Sequence, residues 1–223
     1  MTEPDTPTGD APLTGLHDFP ATISERKAAG KAARQRVAPG AQGQWDEKGR
    51  GHDALATVTG QNLLRVPDLV PLRHGRMALS PWNYYRGAAA VMAADLASQP
   101  NSGLEVQLCG DAHVLNFGLW ATPERNLLFD LRDFDETLPG PFEWDLKRLA
   151  ASLVVAARAS GIKARTAEAA VTAAAAAYRK RMRRYVDAPE LDIWYDSIHV
   201  DSLIGYFEPA DRGRLSIHIE KEA

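Results

Sequence analysis

The sequence predicts an α+β, predominantly helical fold in which several helices surround a short β-hairpin. Three observations carry that expectation. Apolar residues recur every three or four positions at Tyr84, Tyr85, Ala88, Met92 and Leu96, and again at Phe142, Leu146, Leu149, Leu153 and Ala156, the period of a helix with one buried face. Between those runs, Leu104 to Cys109 alternates apolar and polar side chains and Asn126 to Asp130 is a short apolar run bounded by turn residues, so both read as strands. With 223 residues and 45% apolar composition, the chain is long enough to bury a core in one or two domains.

Residues 1–50 read as a tail with one short basic helix. Met1 to Pro20 is rich in proline, threonine and glycine, a composition that cannot repay the entropy of ordering. Ser24 is a candidate cap for a helix running to Val37, decorated by Lys27, Lys31, Arg34 and Arg36 as a solvated face. Pro39 to Gly51 reads as a linker with Trp45 anchoring it to the main body. The core is expected over residues 51–208. Asp53 to Arg65 has helical spacing, and Pro67 with Pro71 is expected to stop it. Ser80-Pro81 is a cap followed by the residue favoured at the first helical position, which predicts a helix over Pro81 to Ser98. Phe142 to Ala156 predicts a second over Pro141 to Ser160, with Gly161 as its stop. A third is expected from Arg165 to Val186, where the basic run Tyr178-Arg-Lys-Arg-Met-Arg-Arg184 complements the helix dipole. Leu191 to Phe207 reads as one more helix, and residues 209–223 carry no clear end signal.

Composition narrows the function classes. A net charge of -3 and a pI near 6.1 give no general basic field, so no nucleic-acid partner is expected. The single cysteine, Cys109, excludes an intrachain disulfide and fits a reducing compartment. No apolar run approaches the ~20 residues of a membrane span and the N-terminus lacks a signal-peptide pattern; no membrane partner is expected, and the cytoplasm is the default location.

The functional information concentrates in Leu108-Cys-Gly-Asp-Ala-His-Val-Leu-Asn-Phe-Gly118, Leu128-Phe-Asp-Leu-Arg-Asp-Phe-Asp-Glu-Thr137 and Phe142-Glu-Trp-Asp-Leu-Lys-Arg148. Asp111 precedes Asn116 by five positions, the spacing of a kinase catalytic loop, where the Asp accepts a hydroxyl proton and the Asn holds magnesium. Asp130, Asp133, Asp135, Glu136, Glu143 and Asp145 make six acids within a short stretch. Around a shared concavity they would call for a hard divalent cation; the bland alternative is turn and cap residues facing water. His113 could ligate a metal, act as acid or base, or order the loop through a hydrogen bond. There is no Gly-x-Ser-x-Gly elbow, Walker loop or Gly-x-Gly-x-x-Gly run.

The segments Arg76-Met77, Ser80-Pro-Trp-Asn-Tyr-Tyr-Arg-Gly-Ala-Ala89, Gln107 to Gly118 and Asp133 to Ser152 resemble the bacterial domain-of-unknown-function family 2252, over about residues 50–205. The core also resembles aminoglycoside phosphotransferase-like and choline-kinase-like enzymes, with their His-Gly-Asp-x-x-x-x-Asn loop and Ile-Asp-Phe or Ile-Asp-Trp metal strand. In those enzymes a further Asp-Leu pair follows the metal Asp by about a dozen positions, and Asp145-Leu146 stands twelve after Asp133. The resemblance implies the catalytic lobe of a protein kinase-like fold, with Asp111 as base, Asn116 and Asp133 as magnesium ligands, and Asp145 bracing the loop. Cys109 replaces the usual histidine before Gly-Asp. His113 is carried as a further catalytic candidate, Asp135 as a further metal candidate, and Arg76 and Arg86 as phosphate contacts.

Kinase-like enzymes place a nucleotide lobe before the loop, whereas tail and helices stand there here. A circularly permuted arrangement is implied, of which this chain is expected to be a truncated, catalytic half. The expected activity is phosphoryl transfer from magnesium-ATP, or another nucleotide, to a small-molecule substrate. A non-catalytic binding or regulatory module and a metal-dependent phosphoester hydrolase are the alternatives.

Overall fold

The computed structural model describes residues 22–45, 49–207 and 209. The tail expected over Met1 to Pro20 and, save Pro209, the C-terminal end expected over 209–223 lie outside the described residues. The first helix, α1 (Ile23–Arg36), is capped by Thr22 rather than Ser24. Thr22 accepts from the Glu25 amide at 3.3 Å while the Glu25 carboxylate accepts from the Thr22 amide at 2.7 Å, a reciprocal capping box that Ser24 could not form. Trp45 remains half exposed, with the Arg50 guanidinium 5.6 Å from its ring.

Helix α2 (Ala54–Gly60) starts where Asp53 accepts from the Leu55 and Ala56 amides, and continues as a 3-10 turn through Leu64. The proline pair does not leave the next stretch irregular. Pro71 sits in the first turn of α3 (Val70–Met77), where a missing N–H goes unnoticed. Ser80 caps α4 (Pro81–Gly87) through the Asn83 amide at 3.1 Å. The helix expected to run unbroken to Ser98 breaks at Ala88 and resumes as α5 (Ala89–Ala97). Two contacts account for the break. A Cβ on Gly87 would lie 2.7 Å from Met77 Cγ, and the Gly87 carbonyl is taken by Arg73 Nη2 at 2.6 Å.

Two antiparallel pairs follow. β1 (Glu105–Leu108) pairs with β4 (Leu138–Pro141), and β2 (Phe117–Ala121) forms a hairpin with β3 (Leu127–Leu131), in register Phe117 to Leu131. β4 escapes a propensity reading because Leu138-Pro-Gly-Pro141 carries two prolines, tolerable on a strand with only one paired edge. Helices α6 (Glu143–Ala159) and α7 (Ala164–Tyr185) pack on each other beside the sheets, and Gly161, at φ 68°, ends α6 as expected.

The helix expected over Leu191 to Phe207 is two short ones, α8 (Glu190–Trp194) and α9 (Val200–Ile204). Between them the chain lies against the open edge of β3: the Phe129 amide donates to the Ile198 carbonyl at 2.8 Å, and Leu128 bridges His199. Satisfying a strand edge wins there over continuing a helix.

A compact apolar cluster of Val58, Met77, Ala88 and Val91 joins α2, α3 and the start of α5. Leu108 and Ser152 are fully enclosed where β1 meets α6. Among the described residues no helix is long and apolar enough to cross a membrane. The architecture is α+β and predominantly helical.

Candidate active site

The loop after β1 begins with a residue only glycine can be. Gly110 has φ 87°, and a Cβ there would collide with the Glu136 carbonyl in the turn before β4. That turn swings Asp111 onto α6. Three polar residues of α6, Asp145, Arg148 and Ser152, then meet the loop in order. Asp145 accepts from the Cys109 amide at 2.7 Å and the Gly110 amide at 3.1 Å. Arg148 donates to Asp111 Oδ1 at 2.6 Å. Ser152 Oγ accepts from the Val114 amide at 2.9 Å and returns its proton to the Leu149 carbonyl. The spacings of three and four put all three on one helix face.

Arg148 is the residue sequence reasoning missed. It is 3% exposed, and besides Asp111 it donates to the Tyr85 carbonyl at 2.7 Å and lies 4.3 Å from the Tyr85 ring centre. Tyr85 answers by donating its hydroxyl to the Arg148 carbonyl at 2.6 Å. Burial pushes the Tyr85 phenol up to about 12, against the opposing pull of Arg148. The signal was present: Asp145, Arg148 and Ser152 form a polar stripe on a helix whose other positions are largely apolar.

Asn116 closes a 3-10 turn (Val114–Asn116) and is buried. Its Nδ2 donates to the Asp111 carbonyl at 2.7 Å, which leaves Oδ1 as the side chain's acceptor. The Asn116 carbonyl takes the Arg132 amide at 2.9 Å, so Asn116 and Asp133 stand at the same end of the β2–β3 hairpin. Cys109 ties the far side, its thiol donating to the Asp133 carbonyl at 3.4 Å. Burial raises the Cys109 pKa, and the Asp145, Asp111 and Asp133 carboxylates add to the rise, partly offset by a backbone hydrogen bond. Backbone contacts thus tie Asp111 to Asn116, Asn116 to the residue before Asp133, and Asp133 to Cys109.

His113 is buried and caps the 3-10 turn, Nδ1 accepting from the Leu115 amide at 3.2 Å. Its Nε2 lies 3.7 Å from Asp111 Oδ2 and its ring meets Trp82 edge-on. Desolvation lowers its pKa, the Arg148 and Arg86 cations press the same way, and Asp111 opposes them. Asp135 is exposed and donates its amide to Asp133 Oδ1 at 3.1 Å.

The six acids do not gather. Asp145 is committed to the loop amides, and Glu143, buried on α6, accepts from the Ser102 amide at 2.8 Å. Asp130 accepts from the amide of its neighbour Leu131. Among the described residues no three His, Cys, Asp or Glu side chains are grouped to hold a metal. Arg76 and Arg86 are apart from the hairpin. They line a cavity of about 730 Å³ between the stretch before α3 and helix α4, and the field of Arg86 reaches His113.

The family described as an uncharacterized protein conserved in bacteria (DUF2252) matches residues 65–222, the stretch holding every candidate above. No curated protein and no solved structure matches the chain.

Proposed function

The chain belongs to the DUF2252 family, and from that premise we propose that it is a kinase-like phosphotransferase acting on a small molecule. The observation that carries the reading is the Asp145 carboxylate clamping the Cys109 and Gly110 amides while Asn116 pins the Asp111 carbonyl. Those bonds fix a short loop that carries the Asp111 carboxylate and the Asn116 side chain, with Asn116 joined through its carbonyl to the residue before Asp133. Rigid positioning of this kind is most of what phosphoryl transfer asks of a protein.

Asp111 is the proposed base. Arg148 holds Oδ1, so the side chain has a fixed direction, and Oδ2 remains to orient a substrate hydroxyl and accept its proton. The donor set suits magnesium. Asn116 Oδ1 and Asp133 Oδ2 are hard oxygen donors, their partner atoms being committed to the Asp111 carbonyl and the Asp135 amide. One or two such ligands with water and phosphate oxygens are the usual protein share of a magnesium site. Magnesium held there would neutralise charge on the phosphates of a bound nucleotide. His113 orders the loop by accepting from the Leu115 amide.

The Arg148 pair also supports a second reading, a binding module of the same fold, because a carboxylate oxygen occupied by a buried guanidinium serves equally well as a structural strut. One experiment separates the two. Calorimetric titration with magnesium-ATP is expected to show binding that Asp133→Asn weakens, and ADP release is expected to fall about 100-fold in Asp111→Asn with binding retained. Turnover unchanged in Asp111→Asn refutes the base. Binding without turnover in either protein gives the module instead, and absence of binding refutes both.

A further inference from the structure

The cavity between the 64–69 stretch, α3 and α4 has a lining rich in arginine. Arg65, Arg73, Arg76 and Arg86 all face it, and no aspartate or glutamate is among its lining residues. Among the described residues none of the four is in an ion pair, although the chain as a whole is acidic at -3. Like charges around one concavity repel, and among the described residues no carboxylate lines the cavity to offset them.

Arg73 makes the arrangement deliberate. Its Nη2 is anchored on the Gly87 carbonyl that the break between α4 and α5 sets free, at 2.6 Å, while its Nη1 is buried with no partner. A buried donor without an acceptor is rare and costly. Burial lowers the Arg73 pKa, Arg65 lowers it further, and only the more distant Glu136 opposes them. The remaining wall is aliphatic and wet: Leu64 is 93% exposed and Leu79 74%, with Leu69 and Leu72 also exposed on the same lining.

We propose that this cleft binds a phosphorylated small molecule with an apolar portion, its phosphate held by Arg73, Arg76, Arg65 and Arg86 and its carbon chain laid on the leucines. Phosphate fits better than carboxylate because several forked guanidiniums match a dianion with three oxygens. The volume, about 730 Å³, is that of a small-molecule site. The assignment stands on the cleft alone and survives if Asp111 proves not to be a base. If both hold, Arg86, whose field reaches His113 beside Asp111, puts the phosphate end of the acceptor toward the loop.

The test is calorimetric titration of the full chain, at about 50 mM salt to limit screening, with hexyl phosphate, inorganic phosphate and hexyltrimethylammonium. Hexyl phosphate is expected to bind roughly tenfold or more tightly than inorganic phosphate, and the cation not at all. Arg76→Glu, at an exposed position whose folding is checked by circular dichroism, is expected to weaken hexyl phosphate at least roughly tenfold. No binding of hexyl phosphate, or unchanged binding in both Arg76→Glu and Arg65→Glu, overturns the site. Equal affinity for the two phosphates overturns the apolar part of the assignment.

Discussion

Replacing Arg148 by methionine tests the centre of the site most directly. The guanidinium is 3% exposed and its partner Asp111 has a side chain 16% exposed, so their 2.6 Å contact is shielded from water and salt. Arg148→Met leaves a mostly buried carboxylate unpaired, removes the hydrogen bond to the Tyr85 carbonyl and empties the place over the Tyr85 ring. Breaking one side of such a pair typically costs about 3–5 kcal/mol. For a chain of this size that corresponds to a fall in Tm of roughly 6–20 °C.

Urea unfolding followed by circular dichroism, with m unchanged, gives the free energy. Asp111→Asn in the same background is the sharper half of the experiment. The double variant no longer buries a lone charge, so the two effects should fall short of additivity by at least about 1.5 kcal/mol. Additivity within about 0.5 kcal/mol, or a Tm within about 2 °C of the parent for Arg148→Met, would refute the claim that this pair organises the loop.

Asp145→Ala removes the acceptor of two loop amides and should cost about 3 kcal/mol, with hydrogen exchange accelerated at Cys109 and Gly110; unchanged exchange there contradicts the clamp. Tyr85 gives the pH prediction. Its folded pKa, about 12, lies above the ordinary tyrosine value, so the folded state holds this proton while the unfolded state loses it. The stability it contributes is full below pH 10 and is lost as pH rises toward 12. Burial also raises the phenols of Tyr178 and Tyr185, so a spectrophotometric titration should show a late component that loses the amplitude of one phenol in Tyr85→Phe, and an unchanged late amplitude in that variant contradicts the assignment to Tyr85.

How legible the fold was depended on how local each signal was. The cap at Ser80, the period of Phe142 to Ala156 and the stop at Gly161 are interactions within a few residues, and the structure keeps all three. The unbroken helix through Gly87 was not readable, because what interrupts it is Met77 and Arg73 from another element. The same holds for Leu191 to Phe207, whose middle is drawn out by the edge of β3, and for β4, whose prolines hide a strand that exists only because β1 lies beside it. Asp133 and Asn116 could be paired by spacing. The dispersal of the acids could not, since it depends on Asp145 and Glu143 being committed to backbone amides at Cys109, Gly110 and Ser102.

The sequence by itself determined the helical periods and the order of acid, amide and acid along Asp111, Asn116 and Asp133, because these are set by neighbouring residues and by turn chemistry. Only the tertiary structure decided that Arg148 grips Asp111 and that four arginines face one cleft without a carboxylate among them. The first joins residues from different elements, and the second depends on how α3 and α4 are turned toward each other. Their energies come from burial and from charge brought together by folding, which no window of sequence contains.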